Sequence, residues 1–360
     1  MKITIENIGV FKYAEYELAD LTIICGKNNT GKTYATYALY GFIDFFRRGY
    51  NIKVSNAYIS TLFEKGTLSL PLDTSQSTID IYVNGACKAF QKLLPKIFSA
   101  QEKYFEESHF CIKVSSDEIH IEDIVDKIYT TNYALPVRRN IDFIRNLESI
   151  SKEEGLLYKS HPEIIEIFNS IVGGEYKVSK DGVYYLPSGS KSAKLTIGES
   201  ASSVRSLLDI YFYLKYVAKP GHMLMIDEPE LNLHPESQRN LARLIALLVN
   251  YGVRVYITTH SDYIIKEFNT LLMLNHRKEN SRIKNLMIEK GYAEEGLLSP
   301  MKIKMFISEK ANILLPGNKR KSRVQSLVPA NITSEFGIEA ISFDNTIEEM
   351  NNIQESIMFC

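Results

Sequence analysis

The eight residues Gly26-Lys27-Asn28-Asn29-Thr30-Gly31-Lys32-Thr33 constrain this chain more than any other feature, because they satisfy G-x-x-x-x-G-K-[ST] at every fixed position. Glycines at those places let the backbone wrap a phosphate group with its N–H donors pointing inward. The lysine reaches the β/γ-phosphates and the hydroxyl of the last residue ligates a divalent cation. The motif requires a buried strand before it and a helix after it. KITIENIGV, AEYEL and LTIIC read as three short strands, the third ending on the motif. From Thr33 onward, Ala35, Ala38, Leu39, Phe42 and Phe46 recur at helical spacing, which predicts an amphipathic helix whose positive end faces the phosphates.

A second constellation lies in the other half of the chain. After the turn residues Lys219-Pro220-Gly221, the apolar run Met223–Ile226 predicts a buried strand that delivers Asp227 and Glu228 at its carboxyl end. Ligands bind at that edge of a parallel α/β sheet. An aspartate there can hold a Mg²⁺ ion through its water shell, and the adjacent glutamate can polarise an attacking water. Pro235 then starts a helix with Leu241, Leu244, Ile245 and Leu248 on one stripe. A further strand, Val253–Thr258, leads to Thr259-His260-Ser261, where His260 could bond a γ-phosphate. Ahead of Asp227, Gly198-Glu199-Ser200-Ala201-Ser202-Ser203-Val204-Arg205 enters a helix that carries Val204, Leu207, Leu208 and Tyr211 on one face. Small hydroxyl residues at such a start suit either an anion site or an ordinary helix cap.

Composition narrows the alternatives. A chain of 360 residues can form one large domain with an inserted lobe, or two modest ones. With 45% hydrophobic and 24% charged residues it reads as globular, and its net charge of −1 argues against a uniformly basic nucleic-acid binder while leaving room for a basic patch. Cys25, Cys87, Cys111 and Cys360 show neither metal-ligand nor disulfide-framework spacing. No apolar run approaches the roughly 20 residues of a membrane span. The chain opens directly on strand-like sequence, so the expectation is a cytoplasmic protein without a signal peptide.

Taken together, the three N-terminal strands, GKNNTGKT, ESASSVRSLL, MLMIDEPELNLHP and TTHS resemble the ABC-type ATPase heads of the SMC/RecF superfamily. The nearest likeness is to OLD-like "AAA family" ATPases, which include components of anti-phage systems such as Septu, Gabija and PARIS. The phrase Asp227-Glu228-Pro229-Glu230-Leu231-Asn232-Leu233-His234-Pro235 carries it. The resemblance implies an α/β fold: an ABC-ATPase-like P-loop head with N-terminal antiparallel strands, over 1–50 and 130–360, and an inserted mainly helical lobe over 51–129. It implies ATP and Mg²⁺ as cofactors. Gly26, Asn28, Asn29, Thr30, Gly31, Lys32 and Thr33 would cradle the nucleotide, and Thr33 and Asp227 would hold the metal. Glu228 would be the catalytic base and His260 the switch histidine. Ser200, Ser202, Ser203 and Arg205 would form a divergent signature segment that contacts the γ-phosphate bound by a second subunit, so hydrolysis would depend on dimer closure. In Tyr133-Ala134-Leu135-Pro136-Val137-Arg138-Arg139-Asn140 the family's usual P-A-E-R-S is altered, with Arg138 in place of the acid and Arg139 where the family arginine falls.

Residues 50–130 show helix-like segments around 86–108 and 118–129 and no sustained heptads. Tyr176–Leu186, with Asp181-Gly182 between strand-like halves, predicts a hairpin. After residue 300, Lys302, Lys304, Lys310, Lys319, Arg320, Lys321 and Arg323 face only Glu309. Such a stretch tracks phosphates or is a solvated loop; the lack of interleaved aromatics favours the loop. Gly337 to Asn351 reads as a strand and a terminal helix. No nuclease signature follows the ATPase half, so a defence role would need a separate effector protein. Two other functions compete: a transporter's nucleotide-binding subunit, opposed by the missing L-S-G-G-Q, and an ATP-held scaffold with little turnover.

Overall fold

A computed structural model of the chain describes residues 2–47, 94–98, 109–113, 140, 143–179, 182–190, 193–339 and 352–357. At its centre runs a five-stranded sheet in the order β11-β10-β3-β9-β8, comprising β3 (Leu21–Cys25), β8 (Met223–Asp227), β9 (Arg254–Thr259), β10 (Ile303–Leu314) and β11 (Lys321–Pro329). β10, β3, β9 and β8 are mutually parallel, and β11 closes one edge as an antiparallel partner of β10. Every residue of β3 is buried, as expected of a central strand covered on both faces.

The two faces of that sheet carry different layers. Leu21, Ile23, Val255, Ile257, Ile303 and Met305 point into a core shared with the helices α3 (Glu163–Val172), α5 (Leu208–Phe212), α6 (Pro235–Asn250) and α7 (Asp262–Arg277). Ile24, Tyr256 and Phe306 point the other way, into a second core with α1 (Lys32–Arg47) and a small antiparallel sheet. That sheet has the order β2-β1-β4, from β1 (Lys2–Ile8), β2 (Phe11–Glu17) and β4 (His109–Lys113). The alternation of period two and of period 3.6 thus sorts each apolar side chain to its layer. Tyr16 of β2 meets Phe306 edge-on at 5.9 Å and welds the two sheets together. In α1 the expected stripe Ala35, Ala38, Leu39 and Phe42 is buried; the side chain of Phe46 lies outside the described residues.

Within the stretch assigned to an inserted lobe, two segments are described and both pack on the head. The short helix α2 (Leu94–Phe98) lies against α1, where a Cβ on Gly41 would come within 2.5 Å of Ile97. The strand β4 adds itself to β1. The remainder of 51–129 is outside the described residues. The hairpin expected at Tyr176–Leu186 forms from β5 (Gly174–Ser179) and β6 (Gly182–Pro187), with β7 (Leu195–Thr196) beside it. The favoured loop reading of the basic stretch is overturned. β10 and β11 form a long hairpin there, with Lys310 opposite Gln325 and Asn312 opposite Arg323. Charge and polarity masked the period-two pattern.

Candidate functional site

The site lies where three parallel strands end side by side. β3 runs into the Gly26–Thr33 loop, β8 ends on Asp227, and β9 ends on Thr259 just before His260. Gly26 and Gly31 have φ of +145° and +105°, a region closed to most L side chains, and a Cβ on Gly26 would approach Ser308 O to 2.8 Å. Asn29, at φ +61°, takes the left-handed conformation that asparagine tolerates best. Lys27, Asn28 and Asn29 are exposed at the crest of the loop, whereas Gly31 and Lys32 are buried at its base.

Lys32 Nζ donates to Gly26 O at 3.0 Å and Lys27 O at 3.2 Å, and stands 3.4 Å from Glu228 Oε1. Thr30 Oγ donates to Lys27 O at 2.8 Å, tightening the turn. The Thr33 hydroxyl donates to Asp227 Oδ2 at 3.3 Å across 194 residues of sequence. Asp227 is open to the cleft on one side and crowded by protein on the others. That crowding pushes its carboxyl above the ordinary aspartate range; Glu228 acts in the same direction, while hydrogen bonds from Thr258 and Thr33 and the charge of Lys32 oppose it.

Glu228 sits at φ +51°, an uncommon conformation for a glutamate. Its N–H donates to Thr258 O at 3.2 Å and Thr258 Oγ1 at 3.0 Å, and the same threonine hydroxyl donates to Asp227 Oδ1. Thr258 therefore holds the carboxylate of Asp227 and the backbone of Glu228. His260 Nδ1 is 3.5 Å from Glu228 Oε1 and 3.3 Å from Glu230 Oε1. Next to it, Ser261 caps α7 by accepting from Ile264 N at 3.3 Å, and donates its own hydroxyl to Gln238 of α6 at 2.5 Å. The structure thus brings Lys32, Thr33, Asp227, Glu228 and His260 together.

The segment Ser200–Arg205 stands apart. Ser200 is buried and donates to Thr196 O at 2.8 Å, while Ser202 and Arg205 are exposed on the five-residue helix α4 (Ser202–Ser206) and Ser203 is half-buried. Arg205 Nη1 folds back onto Ser200 O at 2.6 Å and Gly198 O at 3.3 Å. Among the described residues no hydrogen bond or ion pair links this segment to the phosphate loop. Arg138 and Arg139 lie outside the described residues.

Sequence reasoning passed over four residues that the fold brings to the site. They are Thr258, Glu230, Ser308 and Gln325. Ser308 of β10 donates to Thr30 O at 2.8 Å and accepts from Gln325 Nε2 of β11 at 3.2 Å. The Thr-Thr-His-Ser run gave a signal for Thr258; Ser308 and Gln325 gave none, because only strand pairing places them under the loop. Among the described residues there is no cluster of three or more His, Cys, Asp or Glu side chains suited to a metal. The oxygen pair of Thr33 and Asp227 does suit Mg²⁺, which takes one or two protein oxygens and fills its remaining positions from phosphates and water.

Comparison with known proteins adds a family and a set of shapes. A family model described as "AAA ATPase domain" matches residues 1–108 and 88–265. No curated protein matches the chain. Among solved structures, the SMC head domain from Thermotoga maritima is 11% identical, covering 92% of this chain and 98% of its own at a TM-score of 0.38. The Smc head domain from Pyrococcus furiosus, with an extended coiled coil and bound to the C-terminal domain of ScpA, is 11% identical, covering 98% of both chains at 0.38. A dimeric bacterial ABC transporter cassette is 10% identical, covering 74% of this chain and 90% of its own at 0.30.

Proposed function

This chain belongs to the AAA ATPase domain family, and from that premise we propose that it is a Mg²⁺-dependent ATPase that closes on ATP as a dimer. One observation carries the reading: a phosphate loop lysine, a hydroxyl–carboxylate pair, a glutamate and a histidine, drawn from three strands, converge at one sheet edge. In this reading Gly26 to Thr33 cradles the phosphates with backbone N–H groups, and Lys32 meets their negative charge. Thr33 and Asp227 would hold Mg²⁺, which when bound neutralises charge on the β- and γ-phosphate oxygens. Glu228 orients a water whose oxygen bonds to the γ-phosphorus. The bond to the bridging oxygen breaks, and ADP leaves with that electron pair while the water's proton passes to Glu228 or to the phosphate. His260 contacts the γ-phosphate and reports its presence.

Dimer closure is supported by the position of Ser202, Ser203 and Arg205, which among the described residues make no bond to their own phosphate loop and would serve a second subunit, with Ser200 buried as their support. Val10, Leu231 and Tyr263 stand 44–48% exposed on segments bordering the cleft, as an apolar rim for such a partner. We further assign the chain to an anti-phage or DNA-metabolism complex with a separate effector, a reading supported by the DEPELNLHP phrase. The exposed basic face of β10 and β11 supports a nucleic-acid contact. No described helix is long and apolar enough to cross a membrane.

The test compares ATP turnover and oligomeric mass of wild type and Glu228→Gln, with and without DNA. The expected result is loss of turnover with accumulation of an ATP-bound dimer. A wild type that never hydrolyses ATP while its assembly persists would replace this reading with that of an ATP-held scaffold.

A further inference from the structure

Glu230 is 4% exposed, and a buried carboxylate is a costly thing for a turn to hold. Its Oε1 accepts two bonds of 2.7 Å, one from the Thr259 hydroxyl and one from the backbone N–H of His260. The imidazole Nδ1 of His260 lies 3.3 Å from the same oxygen. Its Oε2 is buried with no hydrogen-bond partner. A turn that needed only fastening would be served at lower cost by a neutral acceptor, since an orphaned buried oxygen destabilises the fold. The charge therefore calls for a second reason, and the nearest candidate is the histidine.

His260 lies between two carboxylates, with Nδ1 at 3.3 Å from Glu230 and 3.5 Å from Glu228. Were Nδ1–H to bond Glu228, it would add a second cationic or donor contact at Oε1, which Lys32 Nζ already approaches at 3.4 Å, and so weaken the carboxylate that has to orient water. We propose that Glu230 is the positioning residue of this site: it fixes the backbone of His260 and draws Nδ1–H to itself, leaving Nε2 to face the γ-phosphate and Glu228 free for the water. A hydrogen bond to one imidazole nitrogen determines the tautomer and aim of the other. This role rests on the ATPase reading above, and it concerns a residue that acts through His260 and never touches substrate.

The experiment is a double-mutant cycle in kcat and KM for ATP: wild type, Glu230→Gln, His260→Ala and the double variant, each with a thermal melt. Glutamine keeps the shape and one acceptor oxygen but removes the charge. The expected result for Glu230→Gln is a kcat lower by roughly 10- to 100-fold, with KM changed by less than about threefold. In the His260→Ala background the same substitution should cost less than about threefold, because its effect passes through the imidazole. A merely structural glutamate would lower the melting temperature and leave no such coupling. Wild-type kcat in Glu230→Gln, or an equal fold-loss with and without His260, overturns the proposal. If Glu230→Gln fails to fold, Glu230→Asp, which keeps the charge and shortens its reach, takes its place in the cycle under the same criteria. A wild type that binds ATP without turnover would overturn the ATPase reading and this role together, whereas normal wild-type turnover without coupling overturns this role alone.

Discussion

A Cβ at position 31 would lie 2.6 Å from Val10 Cγ2 and 3.0 Å from the ring of Phe11, at a φ of +105°. Val10 is exposed enough to give way, but Phe11 is buried in the second core and cannot retreat freely. Gly31→Ala should therefore lose about 1–3 kcal/mol of stability from strain and overpacking, and with it the loop shape that cradles phosphates. Thermal melts with and without Mg-ATP check this: wild type should be stabilised by the nucleotide and the variant should not. An ATP shift of wild-type size in the variant would show that the loop does not depend on this glycine. At this scale the sequence was legible wherever chemistry is written contiguously. Lys32, Asp227, Glu228 and His260 stand in short runs whose spacing reveals the strand ends that carry them. Glu230, Ser308 and Gln325 act through partners 17 to 278 residues away, and such distances leave no local pattern. Cys25, which ends β3 beneath the loop, reads as a plain buried thiol, and burial pushes its pKa up to about 12.

The elements behind the site are held by a polar clamp. Glu267 of α7 is 2% exposed and receives Arg239 Nε at 2.8 Å and Arg243 Nε at 2.6 Å, both from α6. Tyr292 completes it: its hydroxyl lies 3.3 Å from Arg239 Nη2 and its ring lies under the Arg243 guanidinium at 4.0 Å. Because α7 begins at the residue after Ser261, the clamp steadies the helix that follows His260. Removing one side of a buried ion pair costs about 3–5 kcal/mol, but both arginines here reach solvent, so Glu267→Ala should cost nearer 2–3 kcal/mol once that screening is allowed for. Urea denaturation measures it, and a loss below about 0.5 kcal/mol would mean the clamp is decorative. Of the two helices, α6 was readable from Pro235 and its apolar stripe, whereas α7 was not read. Nor was the clamp, since Glu267 in sequence resembles any exposed-face acid. The basic hairpin was misread for a related reason: charged residues on its open face hid strands that backbone pairing maintains.

That hairpin connects the site to the rest of the molecule. Register places Lys310, Asn312, Lys321 and Arg323 on one exposed face of β10 and β11, in line with Ser308 and Gln325 at the phosphate loop. Not all of the basic stretch is available: Lys304 is paired with Glu17, and Lys302 donates to Asn250 Oδ1 at 2.9 Å. Glu309 falls on the opposite face, so the charged residues of this face are all cations, with Asn312 and the exposed Leu314 among them, despite a net charge of −1 for the whole chain. A nucleic-acid backbone laid along it would release counterions, and its binding would weaken steeply with salt. The double variant Lys310→Glu/Arg323→Glu should bind a labelled duplex roughly tenfold or more weakly, with the slope of log affinity against log salt reduced by about 2. Fluorescence anisotropy over a salt series measures both quantities. If the Ser308–Gln325 contact transmits occupancy, the same variant should keep its basal ATP turnover and lose any stimulation by DNA. An unchanged salt slope would place the nucleic-acid contact elsewhere, and a wild type without affinity for duplex or single strand would leave this face to an acidic protein partner.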